Sequence, residues 1–131
     1  MPTVDKEIAP KIFRDLHHAI KQGLILSCHD LSEGGLAVAA AEMAFAGGVG
    51  VEINLKGGST SELFSESNTR FLVEVAVSSE ESFLKCVDTI VVAKTGQTTS
   101  GKSLVIKNAG QIAVDATLVD LKSAWQSPLN L

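Results

Sequence analysis

Residues 24–55 read "LILSCHDLSEGGLAVAAAEMAFAGGVGVEINL", an apolar run, a polar cluster, a small-residue stretch and an alternating segment in that order. Leu24-Ile25-Leu26-Ser27-Cys28 predicts a short buried strand whose C-terminal end carries a site. His29, Asp30, Ser32 and Glu33 make up the polar cluster, followed directly by Gly34 and Gly35. The Ala-rich segment predicts a helix over about 33–46, slim enough to lie close to a sheet and stopped by Gly47 and Gly48. Val49, Val51, Ile53 and Leu55 then alternate with Gly50, Glu52 and Asn54, the period of a half-buried strand. Strand, polar turn, helix and strand form the nucleus of the fold.

Two glycines at a helix start need a physical reason, because each costs about 1 kcal/mol against Ala inside a helix. Close packing of the helix start against a neighbour would supply one, as would a backbone angle that a side chain forbids. An anion would supply another. First-turn N–H groups lack intrahelical acceptors and sit at the positive end of the helix dipole, so bare backbone there suits a phosphate. Asp30 would repel that phosphate unless a cation such as Mg²⁺ lay between them. Alternatively Asp30 is a helix cap, paired with Glu33 three residues on, and Ser32 is a further capping candidate.

Outside this stretch, Ile8, Ile12, Leu16, Ala19 and Ile20 recur at helical spacing, predicting an amphipathic helix over 5–22 before Gly23. His17 and His18 are adjacent and cannot share a face, so they are placed on its exposed side rather than in a paired metal site. A second polar cluster, "LFSESNTR" over 63–70, precedes a strand predicted over 71–77. Ser78 or Ser79 caps a short helix bearing Phe83, Leu84 and Val87, and Ile90-Val91-Val92-Ala93 reads as a returning strand. Leu104-Val105-Ile106-Lys107 and Gln111-Ile112-Ala113-Val114 flank Asn108-Ala109-Gly110, a three-residue hairpin loop. Leu118, Leu121, Ala124 and Trp125 predict a last helix, with 126–131 as a frayed tail. Helices mixed with strands and a hairpin give an α+β class with a mixed sheet, in one domain over 1–131.

The chain has 131 residues, 45% hydrophobic and 20% charged, with a net charge of −4. Such a chain buries about two-thirds of its unfolded surface without disulfides or a structural metal. Its acidic balance, with no basic run, argues against nucleic-acid binding. Cys28 and Cys86 lie far apart without zinc spacing, so both read as buried small hydrophobes in a reducing, cytoplasmic setting. No apolar run is long enough to span a membrane, and the N-terminus lacks the character of a signal peptide.

"GQTTSGKS", 96–103, matches the P-loop pattern G-x-x-x-x-G-K-[ST]. That motif works only where a helix starts at the Lys, so that its first N–H groups cradle phosphate. Leu104-Val105-Ile106 is instead a β-branched run ending in a turn. The stretch is therefore expected to be a polar turn between strands.

"SCHDLSEGGLAVAAAEMAFAGGVGVEI" followed by "LFSESNTRFLVEV" resembles the C-terminal end of the phosphoribosylformylglycinamidine synthase family, with an AIR synthase-related C-terminal domain. The resemblance covers nearly all of 3–125, and His29-Asp30-Leu31-Ser32-Glu33-Gly34-Gly35-Leu36 is its most specific part. It implies an ATP-dependent ligase reaction of purine biosynthesis. The amide oxygen of formylglycinamide ribonucleotide is phosphorylated, and ammonia from a glutaminase subunit displaces phosphate to give the amidine. The family is built of two similar repeats, and this chain resembles the C-terminal domain of the second, with catalytic residues on preceding domains and none here. Carried over to this sequence, the resemblance implies Asp30 as a Mg²⁺ ligand and Ser32 as a nucleotide contact. It also implies that Gly34 and Gly35 leave room for ATP or ADP phosphates, and it assigns a candidate contact to Glu66. Lone Met1 before Pro2 fits the start of a fragment, and such a fragment is expected to be inactive alone. Two other readings are a sister synthetase, of the aminoimidazole ribonucleotide or selenophosphate type, and a P-loop nucleotide binder or regulatory module. "LFSESNTRFLVEV" argues against the sister synthetases.

Overall fold

The computed structural model describes residues 3–129. Its elements run α1 (Ala9–Lys21), β1 (Ser27–Asp30), α2 (Gly35–Gly47), β2 (Gly50–Leu55), α3 (Ser61–Phe64), β3 (Phe71–Glu74), α4 (Glu80–Cys86), β4 (Gly96–Thr99), β5 (Ser103–Asn108), β6 (Gln111–Thr117) and α5 (Leu118–Gln126). Helices with a mixed sheet make the class α+β, as expected. Contacts cluster into two compact units, one of residues up to Ser32 with Glu66–Lys94, the other of Glu33–Ser65 with residues from Thr95 on.

The first unit is a two-stranded ribbon with helices α1 and α4. β1 and β3 run antiparallel, pairing Ser27 with Glu74, Cys28 with Val73, His29 with Leu72 and Asp30 with Phe71. Such a ribbon is marginal alone and needs an apolar cover. Ala19 of α1, Phe83 of α4 and Val87 supply it, packed with Leu24, Ile25, Val73, Val75, Cys86 and Ile90. α1 starts later than the 5–22 pattern suggests, after a turn over 6–8 in which Asp5 Oδ1 accepts from the N–H groups of Glu7 and Ile8 at 2.9 and 3.0 Å. These bonds, Ile8 first, hold the Asp5 carboxyl below the usual carboxylate range. Ile8 and Ile20 remain half exposed while Asp15 is buried, its carboxylate accepting from Thr89 Oγ1. That hydrogen bond to a buried carboxyl was not foreseen in the apolar pattern. His17 and His18 are exposed, as expected.

Several local readings change here. The strand expected at 24–28 is displaced to Ser27–Asp30, and its start is marked by Leu26 N–H donating to Glu74 O. Ile90-Val91-Val92-Ala93 forms no strand. With Val91 fully exposed, the β-branched run has no ladder to join. Ser79 does occupy the N-cap of α4, but its side chain makes no capping bond. Cys86 joins the core, whereas Cys28 is exposed, correcting the reading of both as buried.

The second unit is a four-stranded sheet in the order β4-β2-β5-β6 with α2 and α5. β2 lies parallel to β5 and antiparallel to β4, and β5 pairs antiparallel with β6. Leu36, Ala37, Ala39, Ala40 and Ala44 of α2 are buried together with Ile53, Leu104 and Ile106 of the sheet. α5 is capped by Thr117, whose Oγ1 accepts from Asp120 N–H at 3.1 Å. The hairpin loop is two residues rather than three. Asn108 still pairs with Gln111, and Ala109 and Gly110 both take positive φ, 49° and 80°, the geometry of a type I′ turn.

The P-loop letters have structural explanations. Gly96 lies so close to β2 that a Cβ there would meet the carbonyl of Glu52 at 2.0 Å. Lys102 donates to the carbonyl of Gly48, a cation at the C-terminal end of α2 where the helix dipole favours it. Strand β5 starts at Ser103, so no helix follows the lysine.

Candidate functional site

Antiparallel pairing of β1 with β3 decides which polar residues meet. The first polar cluster leaves the C-terminal end of β1 and the second enters the N-terminal end of β3, so both come to the same end of the ribbon. Leu31 N–H donates to Arg70 O at 2.9 Å, carrying the pairing one bond past Asp30 and Phe71. Here lies a cleft of about 670 Å³ lined by Phe13, 28–32 and 66–71. Asp30, Ser32 and Glu66, three of the residues expected to act together, all line it.

Facing strand residues share a side, so Asp30 lies beside Phe71 and Cys28 beside Val73, on the face where α1 packs. The Asp30 side chain is 61% exposed. His29 points to the other face of β1 and is better covered. Its Nδ1 lies 2.6 Å from the carbonyl of Asp30, which can only accept, so Nδ1 carries the proton. The same nitrogen is 3.6 Å from Asp30 Oδ1. Although Cys28 is exposed as a residue, partial desolvation of its sulfur, and secondarily the Asp30 carboxylate, push its thiol up from the ordinary range. A neutral thiol therefore stands beside the carboxylate.

Two features of the cleft were missed by sequence reasoning. Phe13, on the first helix, meets Phe71 edge-on with ring centroids 5.9 Å apart. Only the pairing of α1 with the ribbon reveals this. Thr69 takes φ +59°, rare for a β-branched residue, with its hydroxyl donating to Asn68 O at 2.7 Å. Strain of this kind persists only where neighbours hold it.

Gly34 and Gly35 are not among the lining residues. Gly34 is the N-cap of α2 at φ +75°, and no side chain caps that helix. The N-cap position anticipated for Asp30 or Ser32 is therefore held by a left-handed glycine. Gly35, at φ +61°, faces the end of α3, where a Cβ would meet the Phe64 carbonyl carbon at 2.8 Å and Ser65 O at 2.9 Å. Of the three reasons considered for the glycine pair, close packing and a left-handed backbone angle are both visible at Gly35.

Mg²⁺ is usually held by one or two carboxylates and completed by substrate phosphates and water. Asp30, an exposed carboxylate lining the cleft, fits such an incomplete shell. Among the described residues no three His, Cys, Asp or Glu side chains gather to hold a metal unaided. Nor is any described helix long and apolar enough to cross a membrane.

Comparison with solved structures places this fold. Thermotoga maritima PurL complexed with FGAR matches with a TM-score of 0.82 at 16% identity, over 92% of this chain and 22% of that one. The same organism's PurL complexed with ATP matches at 0.76 and 16% identity, over 85% and 21%. PurLQS from Thermotoga maritima gives 0.80 at 16% identity, over 90% and 22%. The chain thus spans about a fifth of the proteins it matches. A family model, the C-terminal domain of AIR synthase related protein, matches residues 2–107. With most of its length covered by that model, this chain belongs to the AIR synthase related protein, C-terminal domain family.

Proposed function

We propose that the chain serves as the C-terminal domain of a phosphoribosylformylglycinamidine synthase and that its cleft contributes a Mg²⁺–nucleotide site. One observation carries this reading: the antiparallel ribbon brings Asp30, Ser32 and Glu66 into one cleft from two distant stretches of sequence. The solved relative's complexes with FGAR and with ATP support it, as does the family match. Asp30 would hold the metal, and Ser32 and Glu66 would contact the nucleotide, Ser32 by donating to a phosphate oxygen. Bound Mg²⁺ would offset the charge of ATP or ADP phosphates against these carboxylates. Gly34 and Gly35 shape the start of α2, and the reading does not require them to touch the nucleotide.

In the whole synthase, ATP would phosphorylate the amide of formylglycinamide ribonucleotide, and ammonia from a glutaminase subunit would displace the phosphate. Phosphoryl transfer needs positioning and charge stabilisation from several groups. The cleft's few polar groups cannot supply all of these, so preceding domains of the same cytoplasmic synthase are its first partners and the domain alone is inactive. Asp30→Asn in the full synthase is the test. Nucleotide released on denaturation should fall severalfold while the melting temperature of the domain stays within a degree or two. Equal nucleotide in variant and wild type would reject the site.

A further inference from the structure

The cleft has an aromatic side that the metal–phosphate reading leaves unused. Phe13 is 53% exposed although it lies on the helix whose Ala19 shares a core cluster with Val73 of the ribbon. Phe71 abuts it edge-on, at an interplanar angle of 75°. Such contact fixes the orientation of both rings and makes a rigid apolar step. Phe71 is the register partner of Asp30, so the step adjoins the carboxylate at the same end of the ribbon. An apolar aromatic step next to a carboxylate suits a ligand with a planar ring at one end and metal-bound phosphate at the other.

We propose that Phe13, held by Phe71, is a stacking platform for a nucleobase, which makes the cleft selective for a base-bearing nucleotide over formylglycinamide ribonucleotide. This deepens the metal–nucleotide reading and rests on it. Formylglycinamide ribonucleotide has a ribose, a phosphate and an amide chain but no aromatic ring, so the step gives it nothing to stack. A nucleobase has a π-face whatever its edge groups, and stacking on an aromatic side chain changes affinity by roughly 5- to 150-fold per base.

The test uses protein of this sequence carrying ring-labelled phenylalanine, titrated separately with adenosine, Mg²⁺–tripolyphosphate and Mg²⁺–ATP. The Phe13 ring resonance, assigned by its loss in Phe13→Leu, should move upfield with adenosine and with ATP but not with tripolyphosphate. Phe13→Leu should weaken ATP about tenfold, leave tripolyphosphate unchanged and keep the melting temperature, while Phe13→Trp should retain ATP binding. Asp30→Asn should weaken tripolyphosphate and leave the adenosine shift in place. Equal ATP affinity in Phe13→Leu and wild type, with no adenosine shift, would overturn the platform while leaving the metal–phosphate site standing. Loss of tripolyphosphate binding in the wild type, with the adenosine shift intact, would instead reject the metal–phosphate reading alone. No response to any of the three ligands would reject both.

Discussion

In the sheet unit, Leu104 and Ile106 of β5 are 1% and 0% exposed and lie among a row of buried alanines from α2. In the ribbon unit, the core cluster is Ala19, Phe83 and Val87 with a rim of partly buried side chains. The sheet unit devotes its buried alanines to close packing, and Gly35, Gly50 and Gly96 follow the same logic. The ribbon unit keeps Phe13, Cys28 and Asp30 exposed where α1 packs over the strands. A thin core beside exposed polar and aromatic groups is the composition expected of a binding element, whereas dense packing marks a scaffold.

That contrast makes Gly35→Val the most damaging single change. The added Cβ would press on the backbone of Phe64 and Ser65, and a β-branched residue would be held at φ +61°. Overpacking costs about 1–3 kcal/mol, and the left-handed backbone adds about 1–2 kcal/mol more. A thermal melt should show a drop of many degrees. An unchanged melting temperature would show that the close approach at α3 does not constrain the helix start.

A smaller effect concerns Cys28. Its pKa is raised in the folded state, so folding favours the neutral thiol. The corresponding stability is present below the thiol's unfolded pKa and is lost as pH rises through the higher folded value. Alkylation of Cys28, followed by peptide mass spectrometry against pH, should therefore have a midpoint above that of the unfolded chain. Asp30→Asn should lower the midpoint only in part, because burial is the larger cause. A midpoint equal to that of the unfolded chain would place the thiol in free solvent and break the description of this end of the ribbon.

Much of the fold was legible in the sequence because its periodicities are strong. The Ala-rich helix, the alternating strand after it and the hairpin at Ala109 and Gly110 all occur where the pattern put them, with ends moved by a residue or two. What failed was context. The run at Ile90 has the composition of a strand but no partner to pair with, and Cys28 has the character of a core residue but sits on a strand face that opens at one end. The two polar clusters were visible as clusters, yet their meeting depends on the antiparallel register of β1 and β3. Phe13 could not be foreseen at the cleft, since its helical position reads equally well as core. At Gly35, sequence alone could not separate room for phosphate from close packing, because both require the absence of a side chain.

The central claim is that residues 28–32 and 66–71 form one site. A double-mutant cycle in the full synthase tests it most directly, using Mg²⁺–ATP affinity measured for wild type, Asp30→Asn, Glu66→Gln and the double variant. Groups sharing one ligand couple by about 0.5–3 kcal/mol, whereas separate sites add within about 0.5 kcal/mol. The account predicts that the double variant loses clearly less affinity than the sum of the two single losses. Simple addition of those losses would contradict it.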